Sequence, residues 1–113
     1  MQHDSRLSDI VEKISADRIQ SDIEKLVSFG TRHTLSDTVS DTRGIGAARR
    51  WIKSEFESIS KACGDCLEVS YHKGEVKAGE SRRIPDDTWI VNVMAIKRGR
   101  LYPNRYIIMS GDI

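Results

Sequence analysis

Arg105-Tyr106-Ile107-Ile108-Met109-Ser110-Gly111-Asp112-Ile113 joins an unbroken apolar run to a short polar end. Tyr106 to Met109 offers no polar position, so one wet and one dry face cannot alternate along it. A run of that kind is expected of a strand covered on both faces of an α/β sheet. It predicts a strand over residues 105–110. In open α/β sheets ligands gather beyond the carboxyl ends of strands, and Gly111-Asp112 falls at that place. Asp112 is therefore the candidate metal ligand, although one carboxylate does not make a metal site. The 113 residues leave little to cover the second face of such a strand, so the chain is expected to be a single partial domain, continuing past Ile113.

Two more strands are expected upstream. Residues 88–96, Thr-Trp-Ile-Val-Asn-Val-Met-Ala-Ile, form a long apolar stretch, and residues 97–104 connect it to the last strand. Leu67, Val69 and Tyr71 alternate with Glu68, Ser70 and His72, the period of a half-buried strand. Residues 73–87 are polar, contain Gly74, Gly79 and Pro85, and predict a loop or loose hairpin connection.

Helical spacing governs the first half. Leu7, Ile10, Val11 and Ile14 recur at that period, and the stripe resumes at Ile19, Ile23, Leu26 and Val27 before Phe29-Gly30. Ser15 is placed to cap the second stretch, with Asp17 in its first turn, but periodicity leaves one bent helix or two separate ones open. A further helix follows the polar residues 31–41, with Ser40 or Asp41 as its expected N-cap. Its buried face is expected to carry Ile45, Ala48, Ile52, Phe56 and Ile59, with Trp51 at the edge. Gly44 and Gly46 cost its first turns up to about 1 kcal/mol each relative to alanine. Small residues there point to a helix packed closely on backbone. The fold class is α/β: two or three helices followed by about three strands.

Composition narrows the function. With 38% hydrophobic and 31% charged residues the chain suits one globular core and not a disordered segment. No apolar run approaches the roughly 20 residues that span a bilayer, so no membrane partner is expected. Basic clusters at Arg49-Arg50, Arg82-Arg83 and Lys97-Arg98-Gly99-Arg100 are balanced by acids to a net charge of +1. Such a balance gives little pull on a phosphate backbone, and 6% aromatics offer few stacking surfaces, so no nucleic-acid partner is expected. The first residues, Met1-Gln2-His3-Asp4-Ser5-Arg6, lack the apolar stretch of a signal peptide. A cytosolic protein reads this way, and so does a secreted one without its leader.

Cys63-Gly64-Asp65-Cys66 admits a redox pair, half a zinc site, a local disulfide or two ordinary thiols. The pair follows a helix and precedes a strand, the reverse of a thioredoxin-like site, and only His72 stands near as a further ligand. A local disulfide or two plain thiols is the simpler expectation. His3, His33 and His72 form no ligand pair at helical spacing, and His72 falls on the polar side of its strand. No GxSxG elbow is present, and Gly44-Ile45-Gly46 lacks the strand and third glycine of a phosphate loop.

The order of these pieces resembles the N-terminal region of the M28 family of zinc metallopeptidases. The likeness runs over about residues 15–113. It is carried by Leu26-Val27-Ser28-Phe29-Gly30-Thr31-Arg32-His33, by Gly46-Ala47-Ala48-Arg49-Arg50-Trp51-Ile52, by Asn92-Val93-Met94-Ala95 and by Tyr106-Ile107-Ile108-Met109-Ser110-Gly111. It implies a phosphorylase/hydrolase-like α/β/α sandwich of which this chain is the N-terminal fragment. It also implies an aminopeptidase-like parent, often exported to the outside or the periplasm, that hydrolyses peptide substrates with two zinc ions. In such proteins a metal-bridging water attacks the scissile carbonyl and a glutamate acts as general base. A histidine, one intervening residue and a bridging aspartate follow the Ser-Gly pair in the family. Here Asp112 stands at the histidine position and Ile113 at the intervening one.

That departure puts zinc affinity and the peptidase label in question, since a carboxylate adds charge where an imidazole is expected, although a carboxylate can ligate zinc. A non-catalytic relative serving binding or structure is the alternative reading. The chain alone is expected to bind no zinc and cleave no peptide, because it holds at most one of the ligands. An open strand edge and uncovered apolar surface are expected to make it self-associate.

Overall fold

The computed structural model describes residues 4–113. His3 lies outside them. Caps settle the first half as two helices. Helix α1, Ser5–Glu12, begins where the Asp4 carboxylate accepts the Arg6 amide at 2.9 Å. Helix α2, Ala16–Ser28, begins where the Ser15 hydroxyl accepts the Arg18 amide at 3.1 Å, with Asp17 in its first turn against the positive helix end. Ser15 caps as its sequence position indicated, and the chain breaks between the helices. Gly30, at φ 77°, ends the second one.

Helix α3, Gly44–Ala62, starts later than Ser40 or Asp41 would place it. Its N-cap is Arg43, which makes no side-chain cap bond. The free amides are satisfied from further back: the Ser36 hydroxyl accepts from Ile45 at 2.9 Å and the Asp37 carbonyl from Gly46 at 3.1 Å. The Ser40 hydroxyl instead accepts from Thr42 and Arg43, holding the turn before the helix. Gly44 has φ 85°, and a Cβ on Gly46 would stand 2.6 Å from Thr38 Cα, so both glycines are set by backbone lying against the helix start.

The core is small and sits at that junction. Phe29, Ala47 and Ala48 are buried together, Ala48 completely, with Leu26 and Trp51 packed on them. The Phe29 and Trp51 rings lie 6.2 Å apart and tilted by 55°. Of the expected buried face, Ile45 and Ala48 are buried and Ile52 and Phe56 half-buried, whereas Ile59 near the helix end is exposed.

Strands β1, Glu68–Val76, and β2, Thr88–Ile96, pair antiparallel from Glu68↔Ile96 to Val76↔Thr88. Strand β1 runs further than its alternation indicated, because residues 73–76, expected in the loop, face Val91, Ile90, Trp89 and Thr88 across the ladder. Helix α3 packs on this sheet. Val69, Tyr71, Val91, Val93 and Ala95 share one face and are half-buried, while Glu68, Ser70 and His72 on the other are exposed. The fold is thus α/β, with helices α1 to α3 followed by a two-stranded antiparallel sheet.

The expected third strand over residues 105–110 does not form. Ile107, Ile108 and Met109 are 94%, 87% and 91% exposed. A turn at Tyr102-Pro103, closed by the Arg105 amide on the Tyr102 carbonyl at 3.0 Å, precedes the segment, which joins no ladder. An all-apolar strand needs a paired edge and cover on both faces, and neither reaches this segment. The stripes of α1 and α2 are also open, with Leu7, Ile10, Val11, Ile19, Ile23 and Val27 exposed.

Candidate functional site

Asp112 is where the sequence placed the first chemistry. It lies exposed in the irregular segment after β2, beside Ser110 and Gly111, without a strand to aim it. Among the described residues no group of three or more His, Cys, Asp or Glu side chains is arranged to hold a metal ion. A protein zinc site takes three or four ligands, so the residues present do not by themselves fit zinc. His33 sits in an exposed turn, where its Nδ1 accepts the Leu35 amide at 3.1 Å, and His72 is exposed on β1. The structure brings neither histidine to Asp112.

The connection from β2 toward Asp112 carries an anchor at Arg98. Arg98 donates two hydrogen bonds to the Glu68 carboxylate, at 3.0 and 3.3 Å, across the open end of the β-ladder. Glu68 holds the Arg98 guanidinium above its ordinary pKa, chiefly through those bonds. Both side chains are largely in water, so the pair orients the chain more than it stabilises it.

The polar loop between α2 and α3 is densely hydrogen-bonded. Arg50 donates to the Thr38 carbonyl at 3.0 Å and to the Ser40 carbonyl at 2.5 Å. Arg32 donates to the Leu26 carbonyl at 2.6 Å, satisfying the carboxyl end of α2. The Asp37 carboxylate accepts the Val39 and Ser40 amides at 2.7 and 3.0 Å, and those backbone bonds, Ser40 first, hold it below the usual carboxylate pKa. These contacts close the end of α2, build the loop or seat it on α3. The arrangement is structural, as the small residues at Gly44 and Gly46 indicated.

Two features carried no signal in spacing. Arg49 packs between α3 and β1 with its Nε buried and unbonded, and burial lowers its pKa. Lys53 and Lys73 stand 5.4 and 6.0 Å from the Tyr71 ring centre. Helical period marks Arg49 as a boundary position and cannot foresee which strand side chain meets it. Cys63 and Cys66 are joined as a disulfide with their Cα atoms 5.5 Å apart, which settles the alternatives left open for the CxxC pair.

The chain is similar along nearly its whole length to fungal proteins described as probable zinc metalloproteases. One from Pyrenophora tritici-repentis is 38% identical over 108 residues, covering 96% of this chain and 25% of that protein. One from Pyrenophora teres f. teres is 44% identical over 108 residues, covering 96% and 22%. One from Leptosphaeria maculans is 45% identical over 102 residues, covering 90% and 23%. No family profile matches the chain, and no solved structure does. The chain is thus homologous to these fungal proteins and spans about a quarter of their length.

Proposed function

We propose that this chain is part of a zinc-dependent exopeptidase of the M28 type, aminopeptidase-like, in which Asp112 serves as a metal ligand. The observation that carries the reading is the similarity of 38–45% over almost the full chain to proteins described as probable zinc metalloproteases. The motif order from Phe29-Gly30 through Ser110-Gly111 supports the narrower family. The phosphorylase/hydrolase-like sandwich is supported by the apolar character of both β2 and residues 106–109, which suits strands covered on two faces. The Cys63–Cys66 disulfide supports an exported protein, since such bonds persist in oxidising compartments.

What this chain's own residues do in that reading is limited. They present one carboxylate at the end of an apolar segment and, upstream of it, a sheet packed on α3. The water-activating metals, the remaining ligands and the general base belong to residues outside it, so no catalytic step is assigned to this chain.

The test is made on the whole parent protein, purified and assayed for bound zinc and for release of amino acids from peptides. Stoichiometric zinc and chelator-sensitive hydrolysis are expected. Asp112→Ala is expected to reduce both, with unchanged circular dichroism. A parent with neither zinc nor hydrolysis would favour the non-catalytic relative, the reading that the carboxylate at a histidine position suggests.

A further inference from the structure

We propose that the Cys63–Cys66 disulfide is a thiol-exchange site whose reduction releases the junction between α3 and β1. Both cysteines of the chain are in this bond. It closes the turn between the end of α3 and the start of β1, with Cys63 exposed and Cys66 half-buried. A small thiol therefore reaches Cys63 Sγ more readily.

The turn inside the bond holds an unfavourable conformation. Gly64 and Asp65 both have positive φ, 73° and 62°. Glycine takes that geometry freely, whereas a residue with a Cβ takes it at a cost. Asp65 is the only described non-glycine residue in that region. Its amide donates to the Ser60 carbonyl at 2.8 Å. The hydroxyl of the same Ser60, which is buried, accepts the Leu67 amide at 3.1 Å and donates to the Leu67 carbonyl at 3.0 Å. Helix end, left-handed pair and Leu67, the residue before the strand, are thus tied into one closed unit, and the disulfide is its only covalent bond outside the backbone.

The exchange balances with a dithiol as reductant. One thiolate of the dithiol attacks Cys63 Sγ; the S–S bond breaks and its electron pair leaves on Cys66, which takes a proton from water. The second thiolate then attacks the dithiol's own sulfur in the mixed disulfide, forming a cyclic disulfide and releasing Cys63, which is protonated in turn. Two electrons pass from dithiol to cystine.

Position favours the oxidised state as the resting one. A thiolate at Cys63 would stand at the carboxyl end of α3, where the helix dipole disfavours negative charge. Redox catalysts place the corresponding cysteine at a helix amino end, where the dipole helps it. The pair therefore acts as a clamp opened by reduction, not as a turnover catalyst. Once it is open, nothing covalent holds Asp65 at positive φ. Relaxation of that residue withdraws its amide from Ser60 and frees the Leu67 bridge.

The experiment is amide hydrogen exchange on the whole chain, oxidised and after dithiothreitol, with reduction verified by the mass gained on alkylating two thiols. Exchange at Asp65 and Leu67 is expected to rise about tenfold on reduction, the order set by releasing one left-handed residue, and to return on reoxidation. Cys63→Ser with Cys66→Ser is expected to match the reduced pattern. Reduced Asp65→Gly, which relieves the backbone cost, is expected to keep more protection than the reduced wild type. Verified reduction with unchanged exchange at both amides, or a bond that resists dithiothreitol in the folded chain, overturns the proposal.

Discussion

Ser60 and Leu67 are joined twice through one hydroxyl: Ser60 Oγ accepts the Leu67 amide at 3.1 Å and donates to the Leu67 carbonyl at 3.0 Å. Ser60 is 7% exposed, so water does not readily replace it. Ser60→Ala removes a donor and an acceptor together and leaves a backbone N–H and C=O short of partners. A loss of about 1–3 kcal/mol is expected. Urea unfolding followed by circular dichroism measures it, and an unchanged midpoint would mean that the two groups find other partners.

Gly46 sets the sign of a second substitution. In an open helix, alanine is better than glycine by about 1 kcal/mol. Here an added Cβ would stand 2.6 Å from both Thr38 Cα and the Thr38 carbonyl carbon, atoms of backbone that is itself pinned by Arg50. Gly46→Ala is expected to destabilise by about 1–3 kcal/mol, since overpacking against a fixed chain outweighs propensity. Thermal unfolding decides between the two. A rise in melting temperature would show that residues 36–40 do not seat on α3.

Asp37 gives the loop a pH dependence. Its folded-state pKa is held below the ordinary carboxylate range, because backbone amides of Ser40 and Val39 donate to the carboxylate. A depressed carboxylate contributes stability that is present above the unfolded pKa and is lost as pH falls through the folded one. Asp37→Asn keeps an acceptor oxygen but does not titrate. The advantage of wild type over this variant is expected to be constant above about pH 5 and to shrink below the ordinary carboxylate range. Denaturant midpoints measured from pH 7 to pH 2.5 check this, and a gap that widens on acidification would reverse the assignment.

The contrast between Ser15 and Ser36 explains what the sequence could disclose. Ser15 caps a helix that starts at the next residue, so its role is local and periodicity exposes it. Ser36 reaches Ile45 nine residues on, through a loop whose path depends on Gly46 lying against Thr38, and no spacing rule encodes that. Strand β1 is longer than its alternation because pairing with β2 recruits residues 73–76, which have weak strand preference alone. At residues 106–109 the apolar run states a need for cover on both faces and cannot state whether the chain supplies it. Asp112 was legible only by its place after that run, and the partner of Arg49 not at all, since Tyr71 stands on a strand more than twenty positions away.

Uncovered apolar surface carries the last expectation. The radius of gyration is 17.3 Å, against about 13 Å for a compact chain of this length. The difference comes from parts left largely in water: the stripe of α1, Ile19, Ile23 and Val27 of α2, and residues 106–109. Apolar patches of this kind are removed from water by association. The 113-residue chain is expected to sediment as dimers or larger species at high concentration and toward monomer on dilution. Ile107→Lys with Met109→Lys puts charge on two of the most exposed positions without touching the buried cluster at Phe29, Ala47 and Ala48. This variant is expected to shift the equilibrium toward monomer with unchanged helix content. If the double variant sediments as the wild type does, the contact lies on α1 and α2, and Ile10→Lys with Ile23→Lys becomes the substitution that separates the copies.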